Sequence, residues 1–246
     1  MAKVFLGVGH GGSDPGAVAF GRKEKDLNLS IALACNDELL RHGVAVQMSR
    51  YKDEDDSLNE EIRECNAYSP DLAVDIHNNA GGGDGVEAFY HHGGGKGKTL
   101  AENILAEIVL IGQNSRGAKT RKNANGRDYY GFIRETVCPA CIVETCFVDN
   151  ATDVQIIDTE EECVAMGVAI AKGILSTIGI AWIAPVEAAP APAPAPEPAP
   201  APAPSPEPIP EPEVVPEETT ESKQNKLLDT LIRFLEWLMS LFGRDE

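Results

Sequence analysis

"VFLGVGHGGSDPGA", residues 4–17, decides how this chain is read. A short apolar run stops at His10 and gives way to glycines and an Asp14-Pro15 turn. Two later stretches repeat the pattern: "DLAVDIHNN" (71–79) ends its apolar run at His77, and "ACIVETCFVDN" (140–150) carries Glu144. Apolar runs of this length, bounded by turn residues, read as strands buried on both faces. Between them lie helical patterns. Leu27, Ile31, Ala34, Cys35 and Leu39 make an apolar stripe over 24–42, with Gly43 at its end. Ser57 and Glu60 form a capping-box signature for a helix that runs to Tyr68, before Pro70.

Further elements complete the alternation. "VAVQM" (44–48) and "GVEAFYH" (85–91) read as strands, and 97–112 and 160–178 as helices. "YYGFIR" (129–134) reads equally as a short strand or a turn of helix. Strand-helix alternation predicts the α/β class: a mostly parallel twisted sheet with helices on both faces.

The chain has 246 residues, 43% hydrophobic, with a formal net charge of -18. That length suits one domain of roughly 100–200 residues plus further segments. So acidic a chain is repelled by nucleic-acid phosphates, and no nucleic-acid partner is expected. The first residues hold one lysine and a short apolar run, and no secretory signal is read there. The expectation is a protein kept in the cytoplasm until release by a holin or by cell lysis, with its six cysteines reduced.

Composition divides the chain into three. Residues 1–182 are ordinary globular sequence. Residues 183–220 hold 14 of the 17 prolines, alternating with alanine and glutamate. Without every second N–H, such a tract predicts a polyproline-II spacer of about 100 Å at full extension. Residues 221–246 are amphipathic: Asp229, Arg233, Glu236 and Ser240 form a narrow polar stripe on an otherwise apolar helical pattern. Such a face needs a partner. Self-association through 224–244, membrane contact through Trp237 and Phe242, and docking onto the first domain are all open. The stripe is not enriched in lysine or arginine, which favours a homo-oligomer over a membrane surface.

Open parallel sheets bind ligands beyond the carboxyl ends of their strands. His10, His77 and Glu144 end three strands, and Glu24 opens the first helix, so all four converge on one rim. Two histidines and a carboxylate form a three-ligand Zn2+ set with one position open, and a further carboxylate can shuttle protons. His10, Glu24 and His77 are the candidate metal ligands for one zinc ion, and Glu144 the candidate acid-base.

"GHGGSDPGA", "KEKDLNLSIA", "DIHNN" and "CPACIVETCFVDN", in this order, resemble the motif series of zinc-dependent N-acetylmuramoyl-L-alanine amidases of the Amidase_3 type. The resemblance covers residues 1 to about 180. It implies zinc on His10, Glu24 and His77, Glu144 as catalytic acid-base, and peptidoglycan as substrate, cut between the lactyl group of N-acetylmuramic acid and L-alanine. It implies an endolysin or autolysin in cell wall degradation. Asn78 and Asn79 are candidate contacts to the peptide stem, and Arg134 to a substrate carboxylate or Glu144. The glycine-rich segments after His10 and at 78–85 are expected to form the groove. The chain departs from the family pattern at "GVGH", at Asp75 where serine is usual, and at Thr145-Cys146 after the glutamate. A zinc carboxypeptidase of related fold and a non-catalytic wall-binding module are the alternatives. A pure binder has no use for Glu144 as a proton shuttle.

Other motifs read as structural. His42 suits a helix C-terminus. His91 and His92 read as a solvated loop. Cys138-Pro-Ala-Cys141 lacks the context of a redox or zinc pair, and "GGGKGKT" (93–99) lacks the spacing of a phosphate loop.

Overall fold

A computed structural model describes residues 1–185. The expectations for the proline-rich tract beyond residue 185 and for the 221–246 helix concern residues outside this range.

The elements run in chain order as β1 (Lys3–Val8), β2 (Val18–Ala19), β3 (Arg22–Lys23), α1 (Glu24–Arg41), β4 (Ala45–Met48), α2 (Leu58–Tyr68), β5 (Leu72–Asn79), β6 (Val86–Tyr90), α3 (Lys96–Leu110), β7 (Ser115–Lys119), α4 (Gly131–Glu135), β8 (Ala140–Phe147), a 3-10 turn Asp153–Ile157, and α5 (Glu160–Ile178). Ser57 and Glu60 close the capping box of α2 as their spacing predicts, and Thr159 and Glu162 close a second one at α5. "YYGFIR" resolves into α4.

Six strands form one sheet in the order β4-β1-β5-β8-β6-β7. The first four are mutually parallel. β6 runs antiparallel to β8, and β7 parallel to β6. The sheet is therefore mostly parallel, and its polarity reverses once, at the β8–β6 seam. β2 and β3 form a small separate hairpin that delivers the chain to α1.

Alternation along the strands sorts side chains onto two unequal faces. Val4, Leu6 and Val8, Leu72, Val74 and Ile76, and Cys141 and Val143 pack against Ile31 and Leu39 of α1, Leu100 and Ile104 of α3, and Met166 and Ile170 of α5. The opposite face carries a smaller cluster: Phe5, Ala73, Ala140 and Ile142 under Cys65 of α2 and Phe132 and Ile133 of α4. Burying each large apolar side chain contributes roughly 1.5–3 kcal/mol, so the face under α1, α3 and α5 carries most of the stability. Cys138 joins the smaller cluster and Cys141 the larger. The C-x-x-C pair thus straddles the sheet, and all six cysteines are free.

At the C-terminal end of α1, the His42 ring stacks on Trp182 at 4.7 Å, and the Ile183 N–H donates to His42 Nε2 at 3.0 Å. The end of the domain is pinned to α1 by this stack. Among the described residues, no helix is long and apolar enough to cross a membrane.

Candidate active site

The same alternation that builds the core places the chemistry. Ala73, Asp75 and His77 share one face of β5, and Ala140, Ile142 and Glu144 share that face of β8. His77 and Glu144 are register partners. They stand at the carboxyl edge, on the face that α2 and α4 cover only in part.

His10 lies just past β1 in a left-handed backbone conformation (φ 62), a costly one for a residue with a Cβ. It is fixed from below by Arg50, which is 1% exposed. Arg50 donates to the carbonyls of Val8 (3.1 Å), Gly9 (3.3 Å) and Lys25 (2.7 Å), tying the end of β1 to the start of α1. Glu24, the first residue of α1, is buried at 4% exposure.

Glu24 is the hub. Its Oε2 lies 3.1 Å from His10 Nε2 and its Oε1 3.0 Å from His77 Nδ1. It also accepts the backbone N–H groups of Ala17 (2.9 Å) and Asn78 (3.1 Å). Burial would raise this carboxyl, but the hydrogen bonds from His10 and His77 outweigh it and hold Glu24 far below the ordinary carboxylate range. The hydrogen bond to Glu24 likewise raises His10 against the cost of burial. Two glycines make the cluster sterically feasible. A Cβ at Gly9 would stand 2.2 Å from the His77 ring, and one at Gly16 (φ +64) 2.6 Å from His10 and 2.7 Å from Glu24 Oε2.

The three residues offer ligand atoms that all lie within 4.8 Å of one another. Both rings are surrounded by acids. His10 Nδ1 donates to Asp14 Oδ2 at 2.8 Å, so in the neutral ring the Nε2 lone pair faces a carboxylate. Both ring nitrogens of His77 also face carboxylates: Glu24, and Asp75 Oδ2 at 3.4 Å from Nε2. Four imidazole nitrogens aimed at acids need added positive charge. Protons on the rings or a divalent metal would supply it; the three side chains are a donor set that fits such a metal, and Asp14 is placed to hold the His10 ring.

A second His-His-acid cluster, His91, His92 and Asp128, differs in this respect. His91 and His92 sit in an exposed loop as expected, but they have a partner there: their Nε2 and Nδ1 lie 3.1 and 2.7 Å from Asp128 Oδ2. His91 Nδ1 accepts the Gly93 N–H at 3.0 Å, which leaves the proton on Nε2 to be donated to Asp128. Two neutral rings satisfy this cluster.

Glu144 is half-buried beside the first cluster. Burial pushes its carboxyl up to about 7, against the pull of His77 and with help from the charges of Glu24, Asp75 and Glu87. A cavity of about 270 Å³ adjoins the histidines, with Asp14, Leu58, Tyr130 and Phe132 in its walls.

Two sequence expectations, for Asn78 and for the 78–85 loop, are corrected, and so is the support of Glu144 by Arg134. Asn78 is 3% exposed and faces inward. Its amide donates to Asn28 at 2.8 Å, and its carbonyl accepts the Thr145 hydroxyl, so it braces the site from behind. Arg134 does not reach Glu144. It binds Glu135 (2.7 Å) and the carbonyls of Asp128 (2.8 Å) and Tyr129 (2.9 Å), supporting the loop before α4. The 78–85 loop does not line the cavity; Gly81 and Gly82 give their N–H groups to Asp149. Asn79 is only partly buried and donates to Glu87 at 3.0 Å.

Sequence reasoning missed Asn28 and Glu87. Asn28, fully buried one helical turn after Glu24, donates to Gly9 O at 2.9 Å; its i+4 spacing was readable. Glu87 pairs with Glu144 across the antiparallel seam and binds Arg116 and Lys119 of β7. Those two cations offset its burial and keep it ionised.

The fold and the site together define a class: an α/β protein with a two-histidine, one-glutamate cluster and a high-pKa glutamate at the carboxyl edge of a parallel sheet. The chain belongs to the Amidase_3 family, described as N-acetylmuramoyl-L-alanine amidase, whose sequence profile matches residues 4–176. It is 40% identical over 159 residues to the N-acetylmuramoyl-L-alanine amidase CwlM of Bacillus licheniformis, covering 63% of this chain and 60% of that protein. It is 31% identical over 186 residues to an endolysin of Bacillus phage SPP1, covering 72% and 66%. Among solved structures it resembles Cwp6 from Clostridium difficile, with a TM-score of 0.71 and 38% identity over 72% of this chain and 29% of that one. The chain thus spans less than two thirds of each of these relatives.

Proposed function

We propose that residues 1–182 are a zinc amidase that hydrolyses peptidoglycan at the amide between the lactyl group of N-acetylmuramic acid and L-alanine. His10, Glu24 and His77 would hold one Zn2+. When bound, Zn2+ supplies Lewis acidity, polarising a carbonyl and strengthening water as an acid. Glu144 accepts the proton that attacking water must lose and returns it to the departing alanine nitrogen. A carboxyl poised near neutrality suits both halves of that transfer. Asp14 and Glu24 hold the two imidazoles in place. The cavity beside His10 and His77, with Tyr130 and Phe132 in its wall, receives the substrate next to the scissile bond.

The observation that carries the reading is the pairing of Glu144 with His77, beside a two-histidine, one-glutamate donor set that fits a divalent metal. The named amidase and the endolysin among its relatives support a role in cell wall degradation, as an endolysin or autolysin; release from the cytoplasm by a holin or by lysis is part of the proposal. The proline-rich 183–220 segment would act as a spacer and 221–246 as a self-association helix.

The test is digestion of purified sacculi by wild type, Glu144→Ala and chelated protein. New N-terminal alanine from wild type alone is the expected result. Reducing sugar instead, release of a C-terminal residue, or equal activity in Glu144→Ala refutes the assignment.

A further inference from the structure

The cavity beside His10 and His77 is walled by acids. Asp14, Asp56, Glu61 and Asp75 line it, and no lysine or arginine does. A ligand carrying carboxylates is repelled there unless a cation meets it at the rim. Of the cations near this edge, Arg116 and Lys119 are spent on Glu87, and Arg127 and Arg134 on Glu135. Arg121 is exposed, and among the described residues no acid lies against it.

Arg121 is held in place all the same. Its guanidinium lies over the Tyr129 ring, 3.8 Å from the centroid, and 6.0 Å from the centroid of Tyr130. Tyr129 and Tyr130 meet edge to face at 5.1 Å, and Tyr130 stands in the cavity wall. Burial raises the Tyr130 hydroxyl; Arg121 pulls it down and Glu144 pushes it up, so the ring lies within reach of both charges. The backbone is fixed as well. Arg121 and Tyr129 face each other across a narrow loop, with the Tyr129 N–H donated to the Arg121 carbonyl at 2.8 Å. Arg134 donates to the carbonyls of Asp128 (2.8 Å) and Tyr129 (2.9 Å), and the His92 N–H donates to the Asp128 carboxylate at 2.9 Å. An arginine stacked in this way loses little further freedom when it takes a planar, two-oxygen ligand.

We infer that Arg121 is a specificity-determining residue: it receives a carboxylate of the substrate's peptide stem and so sets which way the substrate lies across the cavity. The inference rests on the amidase reading. In that substrate the lactyl carboxyl is consumed in the scissile amide, and the sugar carries hydroxyl and acetamido groups without charge. The free carboxylates are therefore on the peptide. A cation on the Tyr130 side draws the peptide toward the 121–129 loop and leaves the opposite side to the sugar. Arg134, Asp128 and His92, which no step of the reaction uses, then serve to hold that loop.

Soluble N-acetylmuramoyl-peptides in two forms test this, one with the stem carboxylates free and one with them converted to carboxamides. Zn2+-loaded full-length wild type and Arg121→Gln are compared on both. Wild type should cut the free acid with kcat/KM about 10-fold above the carboxamide, mainly through KM, and Arg121→Gln should bring that ratio to within about 2-fold of unity. Added KCl should shrink the wild-type ratio. A wild type without preference for the acid, or a ratio unchanged in Arg121→Gln, overturns the inference. A wild type that cuts neither form strikes the amidase reading, and calorimetric binding of the two forms to both proteins then decides the arginine by the same ratio.

Discussion

His77 and Glu144 stand opposite one another on adjacent parallel strands, on the face of the sheet that α2 and α4 cover. A ring proposed to hold metal and a carboxyl poised near neutrality are thus fixed by backbone hydrogen bonding rather than by loops. Strand neighbours lie about 4.8 Å apart, which keeps the proposed proton shuttle beside the proposed ligand without competing for its place.

Glu144→Gln should separate binding from turnover. The amide keeps the shape but cannot take a proton, so sacculus hydrolysis should fall roughly 10²–10⁴-fold. Zn2+ affinity measured by calorimetry should stay within a few-fold of wild type. A large loss of affinity would make Glu144 a ligand instead.

The Glu144 carboxyl should titrate near 7 in metal-free protein, and Zn2+ should move it downward, because a nearby dication favours the ionised form. Carboxyl 13C chemical shifts followed against pH, with and without ZnCl2, read both states. The sign for stability follows. Folding raises this carboxyl above its ordinary value of 4.5. Below that value both states are protonated and nothing is lost. Between there and about 7 the unfolded chain releases a proton that the folded chain keeps, so stability declines as pH rises. In the metal-free protein Glu144→Gln should remove a cost of up to about 3 kcal/mol at pH 8 and almost none at pH 4. Urea unfolding at the two pH values checks this; equal effects at both would show that the carboxyl is not shifted.

Asp14→Ala removes the acceptor for His10 Nδ1–H while leaving the three proposed ligands in place. Metal affinity should drop about 10–100-fold. Asp14 is largely exposed, so thermal stability of the metal-free protein should change little. A variant that melts early with unchanged affinity would make Asp14 a structural residue only.

Zinc titration of the full chain should saturate at one equivalent. His91 and His92 already spend their protons on Asp128, so His92→Ala should leave the stoichiometry at one, whereas His77→Ala should abolish tight binding. Two equivalents in wild type, reduced to one in His92→Ala, would reverse the distinction drawn between the clusters.

Much of this architecture is legible in the chain itself. The runs that end at His10 and His77 are short, apolar and bounded by turn residues, so they declare themselves as strands, and the rule for parallel sheets then predicts a shared rim. Glu24 was legible as the first residue of an amphipathic helix. Asn78 was misplaced because strand alternation was not carried one residue past His77: a neighbour in β5 must point the other way. β7 went unread because "SRGAK" is an exposed edge strand with little apolar alternation. Without it, Arg116 and Lys119 had no address, and neither did the reversal at β6. Arg134 and Asp128 act on each other's loop, a relation across three-dimensional space that periodicity does not encode.

The unequal covering of the sheet has an evolutionary consequence. Three long helices seal the back, packed so closely that a Cβ added at Gly173 would stand 2.5 Å from the Ile104 backbone. The front, where substrate would lie, is roofed by the 11 residues of α2 and the 5 of α4. Roof segments this short can be lengthened, shortened or exchanged while the larger cluster on the back stays packed. A lineage could therefore reshape the proposed groove without renegotiating the packing that holds the back of the sheet together.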